Sequence, residues 1–143
     1  MSAEYFLDTN VLVYDLDPAD PHKQAVAQGL IERAIEEETG IISFQVVQEC
    51  LNVITQKARR RLSAEDAESY LEQVLAPLCR VFPNMALYRH ALSVKQRWRF
   101  SFYDSLIIAA ALEGGCRTLY SEDLQHGQEV AELRIVDPFR APP

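Results

Sequence analysis

The sequence predicts a three-layer α/β/α fold around a central, mostly parallel sheet of about five strands. Short strand-forming runs alternate with amphipathic helical stretches along the whole chain, the pattern that builds a parallel sheet wrapped by helices. Helix-capping and turn residues separate these runs at nearly every junction. The length of 143 residues suits one domain. A chain of that size buries roughly 70% of its unfolded surface, so its core needs no covalent staples.

The first strand is Glu4-Tyr-Phe-Leu7, stopped by Asp8-Thr-Asn10. Thr9 or Asn10 is of the type that caps helices, and Val11-Leu-Val-Tyr14 starts the helix that follows. Asp17-Pro18 and Asp20-Pro21 interrupt it. Apolar residues from Ala25 to Ile35 recur at helical spacing, predicting a second helix from Pro21 to about Glu38. After Gly40, Ile41-Ile42 forms the second strand. Ser43 caps a helix from Phe44 to about Lys57, with Val46, Val47, Cys50, Leu51 and Ile54 on its apolar stripe. Ser63 with Asp66 has capping-box spacing for a helix that Pro77 ends. Val81-Phe82 is the third strand, and Asn84 caps a helix to about Arg97. Ser101 with Asp104 repeats the capping-box spacing ahead of an almost wholly apolar helix through Leu112, which Gly114-Gly115 closes. Thr118-Leu-Tyr120 and Leu133-Arg-Ile-Val136 are the last two strands.

Composition excludes several functional classes. Hydrophobic residues are 48% and charged residues 24%, ordinary globular usage. Cys50, Cys79 and Cys116 are too few and too scattered for a disulfide framework or a zinc site, and free thiols suit a reducing cytoplasm. The N-terminus lacks the basic start and apolar stretch of a secretory signal. The longest apolar run, Leu106 to Leu112, falls far short of the ~20 residues that span a bilayer. Net charge is −7, which argues against coating nucleic acid by global charge.

Ligands of open parallel sheets bind beyond the carboxyl ends of the strands. Asp8 follows the first strand, and Asp123 follows the fourth after Ser121 and Glu122. Asp104 lies in the first turn of the apolar helix, and Glu49 on the edge of the stripe of the Ser43-capped helix. Each has a plain alternative: a cap for Asp8, a capping-box partner for Asp104, an Asx-turn for Asp123, a solvated rim for Glu49. Taken jointly the alternatives weaken. At ~4 Å and an effective dielectric near 20, each like-charged pair costs about 4 kcal/mol, so a cluster needs protons or cations. An all-oxygen ligand set selects Mg2+ or Mn2+ over zinc or copper.

Four segments resemble the motifs of PIN domains, in order and across nearly the whole chain. They are Phe6-Leu-Asp-Thr-Asn-Val-Leu-Val13, Val46-Val-Gln-Glu-Cys-Leu-Asn52, Phe102-Tyr-Asp-Ser-Leu-Ile-Ile-Ala-Ala110 and Leu119-Tyr-Ser-Glu-Asp-Leu-Gln-His-Gly127. The single-domain length is similar to VapC-type toxins of bacterial toxin–antitoxin pairs. That resemblance implies a single PIN-like domain over residues 1–143 that acts as an Mg2+- or Mn2+-dependent endoribonuclease. It also implies an RNA substrate, a small antitoxin partner, a homodimer and a cytoplasmic location. Asp8, Glu49, Asp104 and Asp123 would form the acidic metal site, with Asn10 and Ser121 supporting it. Asp8 and Asp104 would be the most direct ligands, while Glu49 and Asp123 complete a second site or orient the water. Glu122 competes with Asp123 for the last place, and the Ser-x-Asp spacing favours Asp123.

Lys57-Ala-Arg-Arg-Arg61 reads either as cations offsetting a helix dipole or as a phosphate-binding rim formed by Lys57, Arg59, Arg60 and Arg61. Trp98 either stacks a base, or packs with Phe100 on a neighbouring helix or the dimer surface. The competing functions are a catalytically silent PIN-like module that binds RNA or protein, and a phosphatase of the haloacid-dehalogenase type. The phosphatase would need Asp-x-Asp where this chain has Asp8-Thr-Asn10.

Overall fold

The computed structural model describes residues 3–58 and 60–140. Six strands, β1 (Tyr5–Leu7), β2 (Gly40–Ser43), β3 (Cys79–Val81), β4 (Thr118–Tyr120), β5 (Glu129–Val130) and β6 (Leu133–Val136), form one sheet in the order β3-β2-β1-β4-β6-β5. All pairings are parallel except β5 with β6. The chain first builds outward through β2 and β3, then crosses β1 to lay β4 and β6 on its other side. The crevice at the carboxyl ends of β1 and β4 is therefore the point where strand order reverses.

Side-chain alternation along β2 assigns the faces. A Cβ on Gly40 would meet Ala34 of α2 (Pro21–Glu36), whereas one on Gly114, at the end of α7 (Phe102–Glu113), would meet Ile41. Successive strand residues point to opposite faces, so α2 and α7 cover opposite sides of the sheet. Helix α7 buries every residue from Ser105 to Ala111, and its alanines allow close packing between the sheet and α6 (Met85–Trp98). Helices α1 (Thr9–Asp15) and α3 (Phe44–Asn52) pack together, and α3 runs on into a π-helical turn at Val53–Lys57.

Most caps form as expected. Ser43, Ser63, Asn84 and Ser101 side chains accept the N–H groups of Val46, Asp66, Leu87 and Asp104. Helix α1 takes the cap that was the plain alternative for Asp8. Its cap is Asp8, whose carboxylate accepts the Thr9 N–H, and not Thr9 or Asn10.

Pro77 does not end its helix. The chain passes from α4 (Ala64–Tyr70) through a π-helical turn, Leu71–Leu75, into α5 (Ala76–Leu78), which contains the proline. A proline lacks an N–H and crowds the carbonyl four residues back, and the widened turn relieves that crowding. Phe82 lies outside β3 and is 57% exposed. The sixth strand, β5, is two residues long and was not expected. Trp98 and Phe100 pack partly buried against the core, the structural alternative for that segment.

Candidate metal centre

Strand β1 ends at Leu7, which sends Asp8 into the crevice with 9% of its surface exposed. Strand β4 ends at Tyr120, and the buried Ser121 donates its Oγ–H to Asp8 Oδ2 at 2.8 Å. Ser121 Oγ in turn accepts the N–H groups of Asp123 (3.2 Å) and Leu124 (3.3 Å), shaping the turn that presents Asp123. On the other side of Asp8, Thr9 Oγ1 donates to Glu49 Oε1 at 2.7 Å. Gln45, one helical turn before Glu49, places Nε2 3.3 Å from Glu49 Oε2 and 3.3 Å from the Tyr103 carbonyl. Asp104 follows Tyr103 directly. A string of polar contacts thus joins the four elements that carry Asp123, Asp8, Glu49 and Asp104.

The four carboxylates are not equivalent. Burial pushes the Asp8 carboxyl up to about 6, against the hydrogen bonds from Ser121 and Thr9, and the charges of Glu49 and Asp123 push the same way. Asp104 is not among the groups that shift it. It is exposed at the head of α7, and among the described residues its carboxylate makes no hydrogen bond. The reciprocal half of the capping box is therefore absent among the described residues, and that carboxylate faces solvent at the head of α7. Among the described residues no three His, Cys, Asp or Glu side chains are gathered closely enough to hold an ion as they stand.

The surroundings nonetheless fit a divalent cation. Both amide atoms of Asn10 are buried without a partner, as are Gln45 Oε1 and Ser105 Oγ. These residues stand two positions from Asp8, in contact with Glu49 and beside Asp104. Orphaned polar atoms are rare in folded proteins; Thr39 Oγ1 is another, at the amino end of β2, while those of Asn10, Gln45 and Ser105 belong to residues next to the acidic positions in sequence or by contact, where a polar group could satisfy them. The oxygen-only donor set suits Mg2+ or Mn2+.

Glu122 faces the other way, where Tyr14 Oη donates to it at 2.7 Å and Lys23 pairs with it. Of the two adjacent carboxylates, Asp123 is the one whose charge raises the Asp8 carboxyl. Thr9 and Gln45 were not read from the sequence as site residues. Thr9 lay within the Asp8-Thr-Asn10 motif, and Gln45 stands four residues before Glu49, the spacing at which helical side chains meet. His126 has a structural role, its Nδ1 accepting the Asp137 N–H at 3.0 Å.

A mostly apolar cavity of about 360 Å3 has Phe44, Gln45, Tyr88, Phe102 and Tyr103 in its wall, and of these Gln45 also contacts Glu49. The basic run lies elsewhere. Lys57 and Arg60 line a separate hollow with Val13, Leu16 and Asp17, near the far end of α1. Lys57 is eight residues beyond Glu49, about 12 Å along a continuous helical path. Arg59 lies outside the described residues, and Arg61 is exposed.

An acidic crevice at the strand-order reversal of a mostly parallel sheet defines the class: an α/β protein of PIN-like architecture. The PIN domain family matches residues 5–132, and the chain belongs to that family. No curated protein matches it by sequence. Among solved structures, the DNA-bound VapBC of Salmonella typhimurium has a TM-score of 0.68 at 16% identity, over 95% of this chain and 98% of that one. A toxin–antitoxin complex from Klebsiella pneumoniae gives 0.65 at 15%, over 94% and 98%. VapC20 of Mycobacterium tuberculosis, described as a toxin that cleaves the sarcin–ricin loop, gives 0.60 at 18%, over 84% and 90%. At these identities the likeness is one of fold.

Proposed function

We propose that this protein is an Mg2+- or Mn2+-dependent endoribonuclease, the toxin component of a type II toxin–antitoxin pair, acting through Asp8, Glu49, Asp104 and Asp123. The observation that carries this reading is the buried Asp8 carboxyl at the strand-order reversal, bonded to Ser121 and loaded by the charges of Glu49 and Asp123. A cation bound there would offset the cost of ionising a carboxyl buried among other charges.

In this reading Asp8 and Asp104 are the direct ligands, and Glu49 and Asp123 complete the site. Ser121 and Thr9 fix the rotamers of Asp8 and Glu49 by hydrogen bonds, and Asn10 supplies an amide with both ends free. A bound divalent ion would lower the pKa of water and stabilise charge on a phosphodiester. The cleaved RNA would carry 5′-phosphate and 3′-hydroxyl ends.

Partners follow from the same reading. The substrate is RNA, and the small antitoxin follows the toxin–antitoxin complexes among proteins of like fold. A homodimer would use the β3 edge of the sheet. Phe44, Phe82, Met85, Leu92 and Tyr103 are exposed, with Met85 and Leu92 seven residues apart on one face of α6. No helix among the described residues is long and apolar enough to cross a membrane, and a cytoplasmic location belongs to this proposal.

A second reading, a silent PIN-like module that binds RNA or protein, draws on the fact that no three carboxylates are gathered among the described residues. RNA cleavage with Mn2+ separates the two. Wild-type protein should cut, and Asp104→Asn should lose about 100-fold or more while melting normally, since Asp104 is exposed. Wild type that binds RNA with Mn2+ and never cuts it would select the silent module.

A further inference from the structure

The turn after β4 carries two adjacent carboxylates with opposite fates. Ser121 points inward to Asp8, and its Oγ holds the N–H of Asp123. Between them Glu122 points outward and accepts Tyr14 Oη on Oε1 and Lys23 Nζ on Oε2. Lys23 is 99 residues away in sequence, in the first turn of α2. It also donates to Tyr14 Oη at 3.2 Å and lies 4.7 Å from the Tyr14 ring centre and 5.7 Å from that of Phe139. Phe139 is buried and meets Tyr14 edge-on at 4.9 Å. The Lys23 ammonium and the Tyr14 phenol, backed by the Phe139 ring, thus form a socket for one carboxylate.

A partly exposed ion pair of this kind usually contributes little to stability. This one has a more particular consequence, because Glu122 is a neighbour of Asp123 and its longer side chain has one more rotatable bond. Released from its socket, it becomes a mobile carboxylate on the turn that serves the crevice, where it would compete with Asp123 for a cation.

We propose that Lys23 is a positioning residue of the candidate metal centre: by pinning Glu122 outward it makes Asp123 the one carboxylate that the β4 turn offers to the ion. The proposal rests on the metal-dependent reading above. It assigns Lys23 no contact with RNA or with the ion.

The test is Mn2+ binding to the full-length chain, by calorimetry and by the Mn2+ electron paramagnetic resonance spectrum, in wild type, Lys23→Met, Lys23→Arg and Lys23→Met/Glu122→Gln. Loss of groups that orient metal ligands typically changes metal affinity by about 10–100-fold. Lys23→Met should shift the Mn2+ dissociation constant by about tenfold and alter the spectrum. Lys23→Arg should restore both to within about threefold. The double variant should do so too, since it removes the misplaced carboxylate. Lys23→Met that binds like wild type overturns the proposal. So does a double variant no better than Lys23→Met, which would make the socket a structural clamp. Wild type that binds no Mn2+ overturns the metal-dependent reading itself, so the two failures are read from different proteins.

Discussion

Helix α1 has an aspartate at each end, and the two make a natural experiment. Asp8 caps the start and Asp15 closes it. Both carboxyls are shielded from water, and burial raises both. Each also accepts a hydroxyl at 2.8 Å, Asp8 from Ser121 and Asp15 from Tyr70. Their neighbours differ. Asp8 is loaded by Glu49 and Asp123 and sits two residues from an unpartnered amide. Asp15 meets Tyr70, which also donates to the Leu12 carbonyl, and among the described residues the further charge that shifts it is Glu32. Burial of a carboxyl is therefore not the signature of the site. The signature is burial among other carboxylates with polar atoms left unsatisfied.

The largest expected effect separates the two ends by activity. Asp8→Asn should lose about 10³-fold in Mn2+-dependent RNA cleavage, the equivalent of about 4 kcal/mol of barrier. Asp15→Asn should cut within a few-fold of wild type. Equal losses in a cleavage assay would erase the contrast.

Stability should move the other way. Asp8 has a folded pKa of about 6, above its ordinary 3.8. Its contribution is therefore fully favourable below pH 3.8 and is lost as pH rises through 6. At neutral pH the ionised group costs about 3 kcal/mol, from a shift of roughly two units at 1.36 kcal/mol each. In EDTA, Asp8→Asn should stabilise the protein by up to that amount at pH 7.5 and by little at pH 4. Urea unfolding at the two pH values measures this, and a stabilisation independent of pH would contradict it.

Tyr70→Phe probes the Asp15 end. It strips a donor from Asp15 and from the Leu12 carbonyl and should cost about 2 kcal/mol in urea unfolding. Cleavage should be unchanged.

The smallest effect concerns the basic residues beyond that end. If RNA passes over them, alanine at Lys57, Arg60 and Arg61 together should flatten the salt dependence of RNA binding by about 0.7 per lost phosphate contact. An unchanged slope in a titration from low to high salt leaves these cations to the helix terminus.

Much of the fold was legible because its signals are local. Ser43, Ser63, Asn84 and Ser101 announce their helices by chemistry confined to one turn, and strand–helix alternation implies a parallel sheet. The misreadings have equally definite causes. Strand β5 is two residues long and exists through its pairing with β6, so no periodicity could reveal it. Pro77 stays helical because a π-helical turn precedes it, a hydrogen-bond pattern that composition does not encode. Asp8 displaced Thr9 as the cap because strand β1 delivers it there.

By itself the sequence determined the order of the elements and the short list of carboxylates, since caps, turns and apolar spacing act over a few residues. Tertiary structure decided what those carboxylates meet. It placed Asp8 beside Ser121, 113 residues away, joined Thr9 to Glu49 across 40, and turned Glu122 toward Lys23 across 99. Such pairings depend on strand order and on the direction of each side chain at a strand end, and these are set when the sheet assembles.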